Sequence, residues 1–151
     1  MGEMDQLKVF TVEEANQLIA RLETLLKDMR ALRNKVISLE VEIDALELVS
    51  DKDEEGNAPA LNRKVEEYTR TVKRFYSRVD DIHETGCFIK DIDLGLIDFY
   101  TMYKGRVVYL CWKLGEPEVG HWHETGLGFS SRQPISRKDF DPGHGHPEEK
   151  K

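Results

Sequence analysis

Apolar residues recur at intervals of three and four through Ala15, Leu18, Leu22, Leu25, Met29, Leu32, Val36, Leu39, Ile43 and Leu46. A seam of that period predicts a long helix packed lengthwise against a partner helix. Thr11 and Glu14 stand at its start in the order of a capping box, each placed to satisfy the other's backbone N–H. From Val12 to Val49 such a helix measures about 57 Å. The charged stretch from Ser50 to Ala58 breaks the pattern with Gly56 and Asn57. Pro59 then suits the first turn of a second helix, whose missing N–H does no harm there. Its seam runs through Leu61, Val65, Tyr68, Val72, Phe75, Val79 and Ile82, and Gly86 is a natural stop. A short connection makes the two helices antiparallel neighbours. Folding them about residue 55 sets Ile43 near Tyr68, Val36 near Phe75 and Met29 near Ile82. The first turns of helix one then project past helix two. Val12, Ile19 and Leu26 widen the apolar face there, and the C-terminal segment is expected to cover it.

From Cys87 onward the period drops to two. Cys87 to Ile89 and Leu94 to Phe99 read as short extended pieces with a turn at Gly95. Arg106 to Trp112 is the clearest strand, rich in β-branched and aromatic residues. Gly115-Glu116-Pro117 marks a turn, Val119 to Glu124 the returning strand, and Gly126 and Gly128 open a loop through Pro134. The predicted class is α+β, as one domain over residues 1–138. It comprises a coiled-coil-like hairpin over about 11–86 and a small antiparallel β module over about 87–138. Residues 139–151 combine Gly, Pro, His and charge and are expected to form a disordered tail.

Charge narrows the partners. The chain carries 29 acidic against 22 basic side chains, a net charge of -7, which disfavours a phosphate-binding groove and hence nucleic acid. No apolar run approaches the roughly 18 residues of a membrane helix, and the first ten residues contain no signal-peptide core. A cytoplasmic protein is expected. Cys87 and Cys111 suit free thiols in that compartment, although a bridge between them is open on sequence alone. The long seam points to a homodimer or a protein partner, because a two-helix hairpin alone buries little.

Candidate chemistry concentrates between Val107 and Glu124. A five-residue loop from Leu114 to Glu118 pairs Lys113 with Val119, Cys111 with His121 and Tyr109 with His123. Directly opposed side chains share a face. Tyr109, Cys111, His121 and His123 then cluster on a polar outer face, while Val108, Leu110, Trp112 and Trp122 turn to the helices. An even loop would reverse the parity. One thiol and two imidazoles, Cys111, His121 and His123, suit a divalent transition metal such as zinc, with Glu124, Glu116 or Asp98 completing the shell or acting as a base. The plainer alternative is that Cys111 is a small buried residue and the histidines are a surface pair. A second candidate is a pocket at Trp112 and Trp122, with Glu116, Arg132 and Gln133, for a flat or anionic small molecule. Against it, the tryptophans serve as the junction with the helices and Arg132 pairs with Glu116. Asp51, Asp53, Glu55 and Gly56 imitate the start of a calcium loop, but Asn62 occupies the twelfth position. His144 and His146 lie in the tail. No phosphate loop, nucleophile elbow or Ser-His-Asp order is found, so no catalytic residue is assigned.

The stretch VYLCWKLGEPEVGHWHETGLGFSSRQP, with Phe10 to Asn16 ahead of it and Gly95 to Phe99 between, resembles the prokaryotic family called domain of unknown function 2203. The resemblance covers about residues 9–135. It implies a soluble bacterial single-domain protein whose fingerprint residues are Cys111, Trp112, Gly115, Glu116, Trp122, His123 and Arg132. It implies no activity. His121 departs from the family pattern, so a mechanism using both histidines does not follow from it.

Overall fold

Residues 7–50, 58–136 and 138–140 are described by the computed structural model of the chain. Helices α1 (Val12–Gln17), α2 (Ile19–Ser50) and α3 (Ala58–Glu84) come first. Five strands follow: β1 (Phe88–Asp91), β2 (Leu96–Tyr103), β3 (Arg106–Lys113), β4 (His121–His123) and β5 (Gln133–Pro134). The predicted α+β class holds, with long packed helices preceding an antiparallel sheet. The acidic connection bearing Asp51, Asp53, Glu55 and Gly56, and the segment bearing His144 and His146, lie outside the described residues.

Two compact units emerge, one formed by Lys27–Asp80 and the other by the described residues up to Leu26 together with those from Asp81 onward. The first is the helical hairpin. Its polar rungs are antiparallel: Lys64–Glu42 and Lys35–Glu67 at 2.8 Å, Tyr68 donating to Glu40 at 3.2 Å, and Arg78–Asp28 at 3.6 Å. Tyr68 thus reaches Glu40, about one turn from the Ile43 position read from the sequence. These rungs are solvent-exposed and each contributes little. Among the described residues of this unit only Met29, Leu39 and Thr71 are buried, and Thr71 satisfies its hydroxyl on the Glu67 carbonyl at 2.7 Å. A two-helix layer has one seam and therefore a thin core. Most of the remaining seam, Leu32, Val36, Ile43, Leu46, Phe75 and Val79 among it, is half-buried, and Val65, which the sequence places in the seam, is exposed.

In the second unit the capping box forms as read, with both Thr11–Glu14 bonds at 3.0 Å. The first helix is not one piece. At Leu18 the ladder tightens to a bond from Leu18 N–H to the Ala15 carbonyl at 3.0 Å, which separates α1 from α2. The projecting face does receive the C-terminal module. Ala15, Leu22, Leu26 and Ile82 are buried in the same unit as Ile97, Phe99, Val108, Leu110 and Trp112. The segment before α1 is stitched to β2. Phe10 N–H donates to the Tyr100 carbonyl and its own carbonyl accepts from the Thr101 hydroxyl, both at 2.7 Å. The Phe10 ring meets Phe99 edge-on at 5.2 Å. Gly86 ends α3 with φ +102°, and a Cβ there would approach Lys8 Cγ at 2.7 Å, so both conformation and space call for glycine.

The sheet is a meander in the order β1-β2-β3-β4-β5. Lys104 (φ 49°) and Gly105 (φ 85°) form the two-residue turn between β2 and β3, the positive-φ pair that matches strand twist. One face carries Ile97, Phe99, Leu110, Trp112 and Trp122, all buried. Phe140, which the sequence assigns to the tail, is packed: it is 6% exposed, stacked on Tyr103 at 5.0 Å and 5.8 Å from Trp122.

Candidate functional site

Strand register builds the other face. Asp98 on β2 opposes Cys111 on β3, Cys111 opposes His121 on β4, and Tyr109 opposes His123. The parity read from the sequence is therefore present, but the register ends at Cys111–His121, so the expected Lys113–Val119 pair and five-residue loop are replaced by a longer connection from β3 to His121. On this face the donor atoms of Asp98, Cys111 and His123 lie within 4.8 Å of one another, and all three residues are buried. His123 Nε2 stands 3.2 Å from Asp98 Oδ2, and its Nδ1 stands 3.0 Å from the Glu124 carbonyl oxygen. A carbonyl only accepts, so Nδ1 carries a hydrogen. Nε2 then turns towards a buried carboxylate oxygen, a contact that requires a proton or a cation between them. Asp98 Oδ1 is buried and has no hydrogen-bond partner among the described residues.

Burial pushes the Asp98 carboxyl above its ordinary range, against the opposing pull of His123, the Cys111 thiol and Lys90. The Cys111 thiol is pushed up to about 12, first by burial and then by the negative charge of Asp98, with Arg132 acting in the other direction. That is the reverse of an activated nucleophile, which needs a lowered pKa and access. Asp98 links to both neighbours, so the order nucleophile–base–orienter of a thiol protease is not formed. What the group offers is a sulfur, a nitrogen and an oxygen converging on one point. Around zinc, such donors sit about 3.3–3.8 Å apart for bond lengths of 2.0–2.3 Å. The 3.2 Å contact already matches one edge, and the wider pairs close with shifts of about 1 Å.

The rim belongs to the loop beyond β4. Arg132 Nη2 reaches Glu116 Oε2 and His121 Nδ1, both at 2.5 Å, and the guanidinium lies 4.8 Å from the Phe129 ring centre. Glu116 also accepts from the Lys113 N–H at 2.9 Å, and its carbonyl takes the Trp112 indole N–H at 2.9 Å. The Arg132 side chain is 8% exposed, with Nε and Nη1 buried and unpartnered among the described residues. Tyr109 leans edge-on against His123 at 5.2 Å and also meets Phe88 and Tyr100.

The sequence places this face outside, towards solvent; the structure encloses it. Rings from β1, β2 and β3 and the returning loop stand over it, and neither is visible in the local alternation of β3 and β4. Of the predicted metal set Cys111, His121 and His123, the first and third converge. His121 shares their face but turns to Arg132 and Glu116. Glu124 pairs with Arg106 at the exposed edge. Asp98, read only as an addition to the shell, takes the central place. The Lys104-Gly105 turn was the available signal for it, because a two-residue turn between Tyr103 and Arg106 sets Asp98 opposite Cys111. Of the predicted ligand set, Arg132 and Glu116 join each other, Trp112 is enclosed, Trp122 is nearly so, and Gln133 is exposed. Cys87 is a separate buried thiol, bonded to Thr85 at 2.9 Å, and both cysteines are free.

No curated protein and no solved structure matches the chain. A family model does, over residues 8–135, under the description "Uncharacterized conserved protein". Cys111, Glu116, His123 and Arg132, four of the fingerprint residues named above, meet on the face just described. With most of its length matched, including every strand and the enclosed Asp98–Cys111–His123 cluster, the chain belongs to the DUF2203 family.

Proposed function

We propose that this protein binds a divalent transition metal, zinc foremost, through Asp98, Cys111 and His123. The observation that carries the reading is the contact of His123 Nε2 with Asp98 Oδ2 at 3.2 Å while Nδ1 is held at a backbone carbonyl. Metal-ligating histidines are commonly oriented in that way by an outer carbonyl. A cation between nitrogen and oxygen would replace the proton that the contact otherwise needs, would engage Oδ1 or Oδ2, and would draw the thiol into the thiolate form. Three protein ligands leave a fourth position open for water or a substrate group. Arg132 on the same face supports an anionic group there.

Metal analysis of the full chain, produced without a histidine tag and with His144→Ala and His146→Ala to silence the tail, tests this. One zinc or cobalt per chain is expected, with a sulfur-to-cobalt charge-transfer band. Cys111→Ser and His123→Ala should abolish both, and His121→Ala should keep them. Substoichiometric metal, or content unchanged in the Cys111 and His123 variants, would refute the reading.

A second reading concerns the hairpin as an interaction module. Its support is an outward row at helical spacing on α2, Ile37, Val41 and Leu48, at 52%, 64% and 70% exposure, above a core only one seam thick. Val41→Lys tests it, because it leaves the inner seam untouched and should weaken any association.

A further inference from the structure

The outward row of α2 has an electrical context that names its occupant. In the half of the hairpin formed by residues 27–37 and 70–80, eight basic side chains stand against two acidic. In the half formed by residues 40–50 and 60–67, two basic stand against six acidic. On α2 alone the division is sharper: Lys27, Arg30, Arg33 and Lys35 precede Ile37, and Glu40, Glu42, Asp44 and Glu47 follow Ser38. The helix is thus positive along its first part and negative along its second, with Ile37 and Val41 at the crossover.

Resting on the reading of the hairpin as an interaction surface, we propose that its partner is a second copy of this chain, whose α2 packs antiparallel across the Ile37–Val41 crossover. A two-fold axis there sets Ile37 of one copy against Val41 of the other, with Arg30 and Arg33 opposite the region of Leu48, Glu47 and Asp44. The Ile37 and Val41 side chains of the two copies make one apolar patch of four, and each Leu48 lies beyond it, across from Arg30 of the other copy. Arg30 and Glu47 are about 25 Å apart along the helix, against a Debye length of about 8 Å at physiological salt. Each end therefore answers chiefly to what lies directly across from it. Parallel pairing would set positive on positive and negative on negative, and antiparallel pairing sets opposite signs together at both ends.

Sedimentation velocity on the full chain at micromolar concentration is expected to give a dimer that weakens with added salt. Reversing the basic end (Arg30→Glu with Arg33→Glu) or the acidic end (Asp44→Lys with Glu47→Lys) should each weaken self-association about tenfold, with helicity retained by circular dichroism. In an equimolar mixture of the two reversed chains, the acid-enriched α2 of one, which keeps only Lys27 and Lys35 as positive charges from residue 27 onward, should pair with the base-enriched α2 of the other, which keeps Asp28, Glu40 and Glu42, and restore wild-type affinity. A monomeric wild-type chain, or a mixture no tighter than its components, would overturn the antiparallel pairing. Association insensitive to Val41→Lys would instead remove the interaction surface itself.

Discussion

Replacing Asp98 by Asn asks where the proton between two buried side chains resides. The carbonyl of Glu124, 3.0 Å from His123 Nδ1, fixes a hydrogen there, so Nε2 presents a lone pair to Asp98 Oδ2 at 3.2 Å. In metal-free protein the contact needs a proton, held either by a neutral carboxylic acid or by an imidazolium. Burial raises the Asp98 pKa and thereby favours the neutral acid, which donates Oδ2–H to Nε2. Asn has nearly the same shape, and its amide N–H can donate to the same lone pair. One hydrogen bond exchanged for another changes stability by about 1 kcal/mol or less. Leu fills similar space but leaves Nε2 buried and unpaired, at a cost of about 1–3 kcal/mol. Urea unfolding of chelator-treated protein at pH 7 measures both. The pH slope adds a check with a definite sign. Between the ordinary Asp value of 3.8 and its raised value in the fold, the native state binds more protons than the unfolded chain, so stability falls as pH rises through that window. Asp98→Asn should flatten that fall while abolishing metal binding. A loss of about 3–5 kcal/mol on Asp98→Asn, the usual result of removing one partner of a buried ion pair, would refute the neutral-acid account.

Two further outcomes follow from burial. Cys87 and Cys111 are 2% and 1% exposed and both thiols are raised by burial, so neither should react with an aromatic disulfide reagent at pH 8 until urea is added; rapid labelling of the native chain would contradict this. Phe140→Ala should cost about 3 kcal/mol, the lower end of the range for Phe truncation because the ring sits at the sheet margin, and should lower the midpoint of thermal unfolding by roughly 6–12 °C. Calorimetry showing no change would mean that the stacking on Tyr103 contributes nothing.

The helices and the β3–β4 pairing were legible in the sequence because both depend on local period. The apolar seam on α2 and α3 needs only neighbours three and four residues away, and one odd loop at Gly115 sets the parity of Cys111, His121 and His123. Asp98 depends on a second hairpin, and the role of His121 depends on Arg132, eleven residues further along, folding back onto it. Enclosure of the face is less local still, since Phe88, Tyr100 and Tyr109 come from three strands. Alternation alone assigns an uncovered face to solvent, which is why the sequence turns Cys111 and His123 outward. The packing of Phe140 is not legible for a related reason: one large apolar residue amid Gly, Pro and charge has no period, and its partners Tyr103 and Trp122 lie far back in the chain.

The meander order of the sheet bears on how the molecule assembles. Every strand pairs with its neighbour in sequence, so each step closes a short loop at small entropic cost, and the hairpin helices zip in the same way. The bond between Phe10 and Thr101 spans 91 residues and brings the chain's beginning onto the middle of β2. It gains its partner only after the helices have folded back and β2 has formed. A probe at Phe10 should therefore report the last event of folding, and weakening that stitch should speed unfolding while leaving the rate of sheet formation nearly untouched.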